Sequence, residues 1–198
     1  MSPSARSASG RTAILGSPGP ENLTAPLNYH PFSGRTEYLE ITLLDPSKAA
    51  TAQPNQVSST AAADKDAVSR PIGSIYIQRS YTNRTGKTIT KLRLRLVELT
   101  TDNRGALVAP QGVHRIITSV DTTATVGAST LTVKGTTLEA VSGAQTAGGI
   151  NSTVAAPLPV GACKPNETVH LRLRLGVNQK GQFYIQWTVE AVTQSDQP

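Results

Sequence analysis

The chain of 198 residues holds a single cysteine, Cys163, which excludes an intrachain disulfide and any Cys-x-x-Cys metal knuckle. Aromatic residues make up only 4% of it, so a core must be built from leucine, isoleucine and valine. No apolar run approaches the roughly 18 residues that a membrane-spanning helix requires. Nor does any window sustain the 3.6-residue apolar period of an amphipathic helix. The opening "MSPSARSASGRTAILGSPGP" lacks the continuous apolar stretch of a secretory signal. The expectation is therefore a protein made without such a signal, or a chain that begins after its removal. Charged residues are also few, at 16%, and small polar residues take their place.

What charge there is leans positive, with a formal net charge of +6 and a pI near 9.7. Such a balance favours acidic partners. The basic residues are spread along the chain, however, without a lysine/arginine cluster or interleaved aromatics. That distribution argues against nucleic acid and leaves acidic polysaccharide as a candidate partner.

Abundant Thr, Ser, Ala and Gly, with 13 Pro, fit an all-β protein with many turns. Residues 1–36 carry almost no periodic apolar pattern and read as an extended N-terminal arm. Residues 37–198 read as one β-sandwich domain. In "EYLEITLLD", Leu39, Ile41 and Leu43 share one strand face. The polar stretch from Pro46 to Pro71 then reads as a surface crossing between sheets. "GSIYIQRSYTN" alternates, with Ile75 and Ile77 opposite Tyr76 and Gln78. "TITKLRLRLVELT" sets Leu92, Leu94 and Leu96 opposite Lys91, Arg93 and Arg95. The intervening "NRTGK", with Gly86, predicts a β-hairpin between these two runs.

Weaker strands are predicted at "HRIITSVD" and "STLTVKGTTLEA", and "VSGAQTAGGINST" reads as a loop. In "TVHLRLRLGV", Val169, Leu171, Leu173 and Leu175 line one face. "NQKG" leads to "QFYIQWTVEAV", where Phe183, Ile185, Trp187 and Val189 align, and the pair predicts a second hairpin. The sum is about seven or eight strands in an immunoglobulin-like antiparallel β-sandwich.

Several ordered stretches bear a family likeness. "GSPGPENLTAPL", "GSIYIQRSYTNRTGKTITKLRLRLVELTT", "TVKGTTLE", "GGINST" and "LRLRLGVNQKGQFYIQWTVEAV" follow one another over nearly the whole chain. In this they resemble a β-sandwich domain found near the C-terminus of large, mostly uncharacterised secreted or surface proteins of bacteria. The resemblance implies a non-enzymatic module in an extracellular or cell-surface setting, and it brings no catalytic residues or cofactor. The absence of upstream repeats before Met1 keeps a second version open, a phage virion component such as a capsid decoration or tail protein.

The repeated Leu/Arg ladder is the main candidate site. If both copies lie in one sheet, Lys91, Arg93, Arg95, Arg172 and Arg174 form a basic stripe for carboxylate, sulfate or phosphate groups. The simpler reading is a solvated outer face, its arginine stems spread on the sheet and its charges paired with glutamates on neighbouring strands. His30, His114 and His170 are isolated and show no metal-ligand spacing. No serine sits in a nucleophile elbow. "DKD" at residues 64–66 has the start of a calcium loop without its further acidic ligands. Four Asn-x-Thr or Asn-x-Ser-type triplets begin at Asn22, Asn83, Asn151 and Asn166, which loops rich in threonine and asparagine generate freely.

These readings converge on a non-enzymatic structural or interaction module, with no cofactor and no metal. It would self-associate or join other subunits, the arm contacting neighbours by adding a strand to a sheet. A binding module for acidic glycans is the second class of expectation.

Overall fold

The computed structural model describes residues 39–67, 70–102, 114–139, 148, 152–179 and 182–193. Residues 1–36, expected as an arm, lie outside them, as do His30, the triplets at Asn22 and Asn151, and most of the "VSGAQTAGGINST" loop. Eleven strands follow in order: β1 (Leu39–Leu43), β2 (Gln56–Ser59), β3 (Gly73–Asn83), β4 (Ile89–Asp102), β5 (His114–Ile117), β6 (Thr122–Val126), β7 (Ser129–Gly135), β8 (Thr137–Leu138), β9 (Thr153–Ala156), β10 (Thr168–Val177) and β11 (Gln182–Thr193). Two single 3₁₀ turns, Ala62–Asp64 and Pro159–Gly161, are the only helical pieces among the described residues. The chain is all-β, in more strands than the seven or eight expected. The additional ones are short runs of Ser, Thr and Ala, such as "TTATV" and "TVAA", without apolar alternation.

The strands form two sheets. The seven-stranded sheet runs β1-β3-β10-β7-β6, with β2 also on β3 and β5 also on β10. The four-stranded sheet runs β11-β4-β9-β8. Pairing is antiparallel except where Leu171 and Arg172 of β10 meet Lys134 and Gly135 of β7 in parallel, so the first sheet is mixed rather than purely antiparallel.

Both predicted hairpins are overturned by this topology. β3 pairs with β10 over ten residues, from Val177↔Gly73 to Thr168↔Thr82, and β4 pairs with β11. The turns after β3 and after β10 therefore carry the chain from one sheet to the other. A hairpin turn and an inter-sheet arch look alike in sequence, since both join two alternating runs through a short polar link. The difference lies in what the corner must satisfy. Asn83 is fully buried, and its Nδ2 donates to Lys87 O (2.8 Å) and Cys163 O (2.9 Å), while its Oδ1 accepts from Thr85 N (3.0 Å) and Thr85 Oγ1 (2.7 Å). A solvated hairpin turn needs no such internal partner for its backbone. Gly86 does take a left-handed φ, of 71°.

The segment between β1 and β3 does not cross between sheets either, because β1, β2 and β3 all belong to the same one. Its first part is clamped by buried Asn55, which accepts from Asp45 N (2.8 Å) and donates to Asp45 O, Lys48 O and Ala49 O.

The predicted leucine faces of β4 and β10 hold, whereas on β1 only Leu39 of the Leu39, Ile41 and Leu43 face is buried. Leu92, Leu94 and Leu96 of β4 join Leu171, Leu173 and Leu175 of β10 in one buried cluster with Ile77, Tyr81, Val154, Val169 and Val189. Residues of both sheets thus share one core, as in a β-sandwich. A smaller cluster of Leu44, Ala124 and Val133 lies beside it. At the sheet rim the chain leaves β7 for β8, and so changes sheets, through Gly135 and fully buried Thr136. Thr136 N donates to Ser119 Oγ (2.9 Å), and Ser119 Oγ donates to Arg172 O (2.5 Å). A Cβ on Gly135 would stand 2.2 Å from Ser119 O, so the backbones approach here as only glycine permits.

Two stability predictions follow from the packing. Leu94→Asp or Leu173→Asp places a carboxylate in the shared core and is expected to leave no cooperative thermal transition. A soluble variant with an unchanged melting temperature would refute the facing-leucine core. Gly135→Ala is expected to cost about 1–3 kcal/mol in urea unfolding, the usual range for overpacking a tight site.

Candidate functional site

The two Leu/Arg ladders lie in different sheets, with their leucines inward and their arginines on opposite outer faces. The single basic stripe of Lys91, Arg93, Arg95, Arg172 and Arg174 does not exist. Because the two leucine rows face each other across the core, their intervening arginines must point apart.

On the four-stranded sheet, antiparallel register sets Arg93 beside Glu190 and Arg95 beside Thr188. Arg93 Nε donates to Glu190 Oε2 at 2.5 Å, and Arg95 Nη2 contacts Glu190 Oε1 at 3.0 Å. Arg93 also reaches Glu139 Oε2 (3.3 Å), and Lys91 reaches Glu139 Oε1 (3.3 Å). Thr153 Oγ1 adds a hydrogen bond to Glu139 Oε2 at 2.9 Å. Burial works to raise the Glu139 pKa, but that hydrogen bond and the charges of Lys91 and Arg93 hold it below the ordinary carboxylate value. Arg93 and Arg95 are each only 2% exposed and Glu190 is 1% exposed, so they do not form the solvated outer face expected there. Their pairing with glutamates is as expected. Of the three cations, Lys91 alone presents substantial surface.

On the seven-stranded sheet, Arg172 and Arg174 sit over the ring of Tyr76, at 3.6 and 5.4 Å from its centroid. Asp64, on the 3₁₀ turn Ala62–Asp64, organises the group. Its carboxylate accepts from Arg174 Nη2 (2.8 Å), from Ser59 Oγ (2.5 Å) and from the Tyr76 hydroxyl. Burial opposes ionisation of Asp64, yet the hydrogen bonds from Ser59 and Tyr76, with the nearby arginines, bring its pKa below the usual range. Burial and the bond to Asp64 raise that of Tyr76. Arg174 Nε donates to Ser74 Oγ at 3.1 Å. Asp66 pairs with Arg70 at 2.9 Å, so neither carboxylate of "DKD" faces an open loop. The carboxylates that complete both clusters escape a reading of the sequence, because Glu190 is 97 residues from Arg93 and Asp64 is 110 from Arg174.

The remaining candidates have structural surroundings. His170 is half-buried, its Nδ1 is 2.9 Å from Ser80 Oγ, and burial lowers its pKa. The side chain of His114 lies outside the description. Cys163 is buried and its thiol is pushed up to about 11, mainly by burial, so it stays protonated at neutral pH. Asn83 has both amide hydrogens bonded and no exposed surface, which closes that triplet to modification. Asn166 is exposed, and its Oδ1 accepts from Arg84 Nη1 at 2.9 Å. Among the described residues no group of His, Cys, Asp and Glu is arranged to hold a metal ion, and no helix is long and apolar enough to cross a membrane. Comparison of the chain with protein-family models, with curated proteins and with solved structures finds no match in any of the three.

Glu190→Gln leaves two buried guanidinium groups short of an anion and is expected to cost about 3–5 kcal/mol in urea unfolding. Glu40→Gln, which breaks the exposed pair of Arg84 and Glu40 (2.9 Å), is expected to change the midpoint little. Equal losses for the two would contradict the buried network. The depressed Asp64 pKa contributes stability that is present above the unfolded carboxylate value and lost as the pH falls through the folded one. The stability gap between wild type and Asp64→Asn is therefore expected to be constant near neutral pH and to shrink in acid. A gap that widens in acid would reverse that assignment.

Proposed function

We propose that the chain is a non-enzymatic structural and interaction module of a bacterial surface or extracellular assembly, built on an immunoglobulin-like sandwich, with residues 1–36 as an arm that contacts neighbouring subunits. The observation that carries this reading is the rim strand β1. It begins just after residues 1–36, and β3 is its only strand partner among the described residues. Its Ile41 is 45% exposed although it shares a face with buried Leu39. An edge with unpaired backbone groups and an exposed β-branched side chain is a template for an added strand. The ordered motifs that resemble bacterial surface modules support the same setting. The arginines of β4, and Arg174 of β10, meet internal carboxylates, so their chemistry serves the fold more than an outside substrate.

Removal of residues 1–36 is expected to abolish higher-order species in light scattering while the thermal transition remains cooperative. Ile41→Lys, which puts a charge on the rim, is expected to have the same effect. Unchanged assembly in both variants, or a wild type that stays monomeric at every concentration tested, would sink the proposal.

A further inference from the structure

Of the five ladder cations, Arg172 stands apart. Lys91, Arg93 and Arg95 meet Glu139 or Glu190, and Arg174 meets Asp64. Arg172 has no carboxylate within ion-pair distance among the described residues. Its Nε is buried with no hydrogen-bond partner, while its terminal nitrogens are not sequestered. The Tyr76 ring at 3.6 Å holds the guanidinium in place without neutralising it. Two guanidiniums therefore share one carboxylate at this site, and a positive charge is left over on a partly buried, positioned side chain.

The neighbours of Arg172 are polar. Its cross-strand partner Gln78 is 3% exposed, with Oε1 lacking a hydrogen-bond partner. Arg172 Nε and Gln78 Oε1 are both sealed from solvent, so a ligand meets Arg172 at its terminal nitrogens. An anionic group can meet those nitrogens, while Gln78 lies beneath them as part of a buried floor. From Arg172 the same outer face of β10 continues through His170 to exposed Thr168, whose hydroxyl is 2.8 Å from that of Thr82. Alternate strand residues stand about 6–7 Å apart, so these side chains form a row of hydrogen-bonding groups along the strand.

We infer that this face binds an acidic polysaccharide, with Arg172 holding a carboxylate or sulfate group and the row from His170 to Thr168 lying beside the sugar hydroxyls. The inference rests on residues other than those that carry the assembly reading, so its failure would leave that reading untouched.

The test is retention of the full chain at low salt on immobilised heparin and on polygalacturonate, with dextran and poly-glutamate columns as controls. Wild type is expected to be retained on at least one acidic polysaccharide beyond both controls, and to be released as salt screens the contact. Arg172→Gln is expected to weaken binding by about tenfold with an unchanged thermal transition, as befits loss of one charge-assisted contact. Lys91→Gln, on the other sheet, removes the same formal charge and is expected to bind as wild type. No retention on either polysaccharide would overturn the inference. So would equal weakening by the two variants, or equal retention on poly-glutamate, because either marks an effect of net charge alone. If Arg172 serves only the packing against Tyr76, Arg172→Gln will shift the thermal transition and leave retention intact, which also overturns it.

Discussion

The leucines of β4 and β10 meet across a single interface, Leu92, Leu94 and Leu96 from one sheet against Leu171, Leu173 and Leu175 from the other. Each side chain so buried is worth roughly 1.5–3 kcal/mol, and the interface draws in Ile77, Tyr81, Val154 and Val189 around it. With so few aromatics in the chain, this aliphatic layer has no substitute. Everything else in the topology serves to bring the two ladders face to face. The arch after β3 with its clamp at Asn83 and the passage from β7 to β8 at Gly135 move the chain between layers while hydrogen-bonding backbone groups there.

Alternation along a strand has a price on the opposite face, where every second position must suit whatever lies there. The two ladders resolve this in different ways. On β4 the arginines are buried with Glu190, and a charged pair in such a place stabilises only as a complete set, because loss of one member strands the other. On β10 the set is incomplete. Asp64 answers Arg174, and an aromatic ring rather than a carboxylate lies against Arg172. A pattern repeated in sequence has therefore produced two sites with opposite chemical character.

The long strands and the inward leucines of β4 and β10 were legible in the sequence because a period of two is a local property. The register of Ile75 and Ile77 against Tyr76 and Gln78 follows from adjacent residues alone. Sheet membership was not legible. "NRTGK" and "NQKG" have the composition of hairpin turns, and only burial of Asn83 and Thr85 marks the first as a corner between layers. β2, β6 and β9 escaped because Ser, Thr and Ala fit a pleated strand without announcing a face, and β8 was legible only as the end of the β7 run. The charged clusters escaped for a related reason. Their basic halves are adjacent in sequence, and their acidic halves arrive from distant segments through the fold itself.

The pairing of β3 with β10 and of β4 with β11 also sets the order in which the molecule can form. Arg174 and Ser74 are bonded across 100 residues of chain, and Arg93 and Glu190 across 97. Contacts of such high order demand that large loops close before any of the central ladder hydrogen bonds reward them, which slows folding. During synthesis β3 emerges beside β1 and β2, and β4 later gains β9, but the longest partner of each, β10 or β11, is still untranslated. Each of the two strands therefore has one side open until residues 168–193 appear, and that interval is one in which the chain is vulnerable to aggregation.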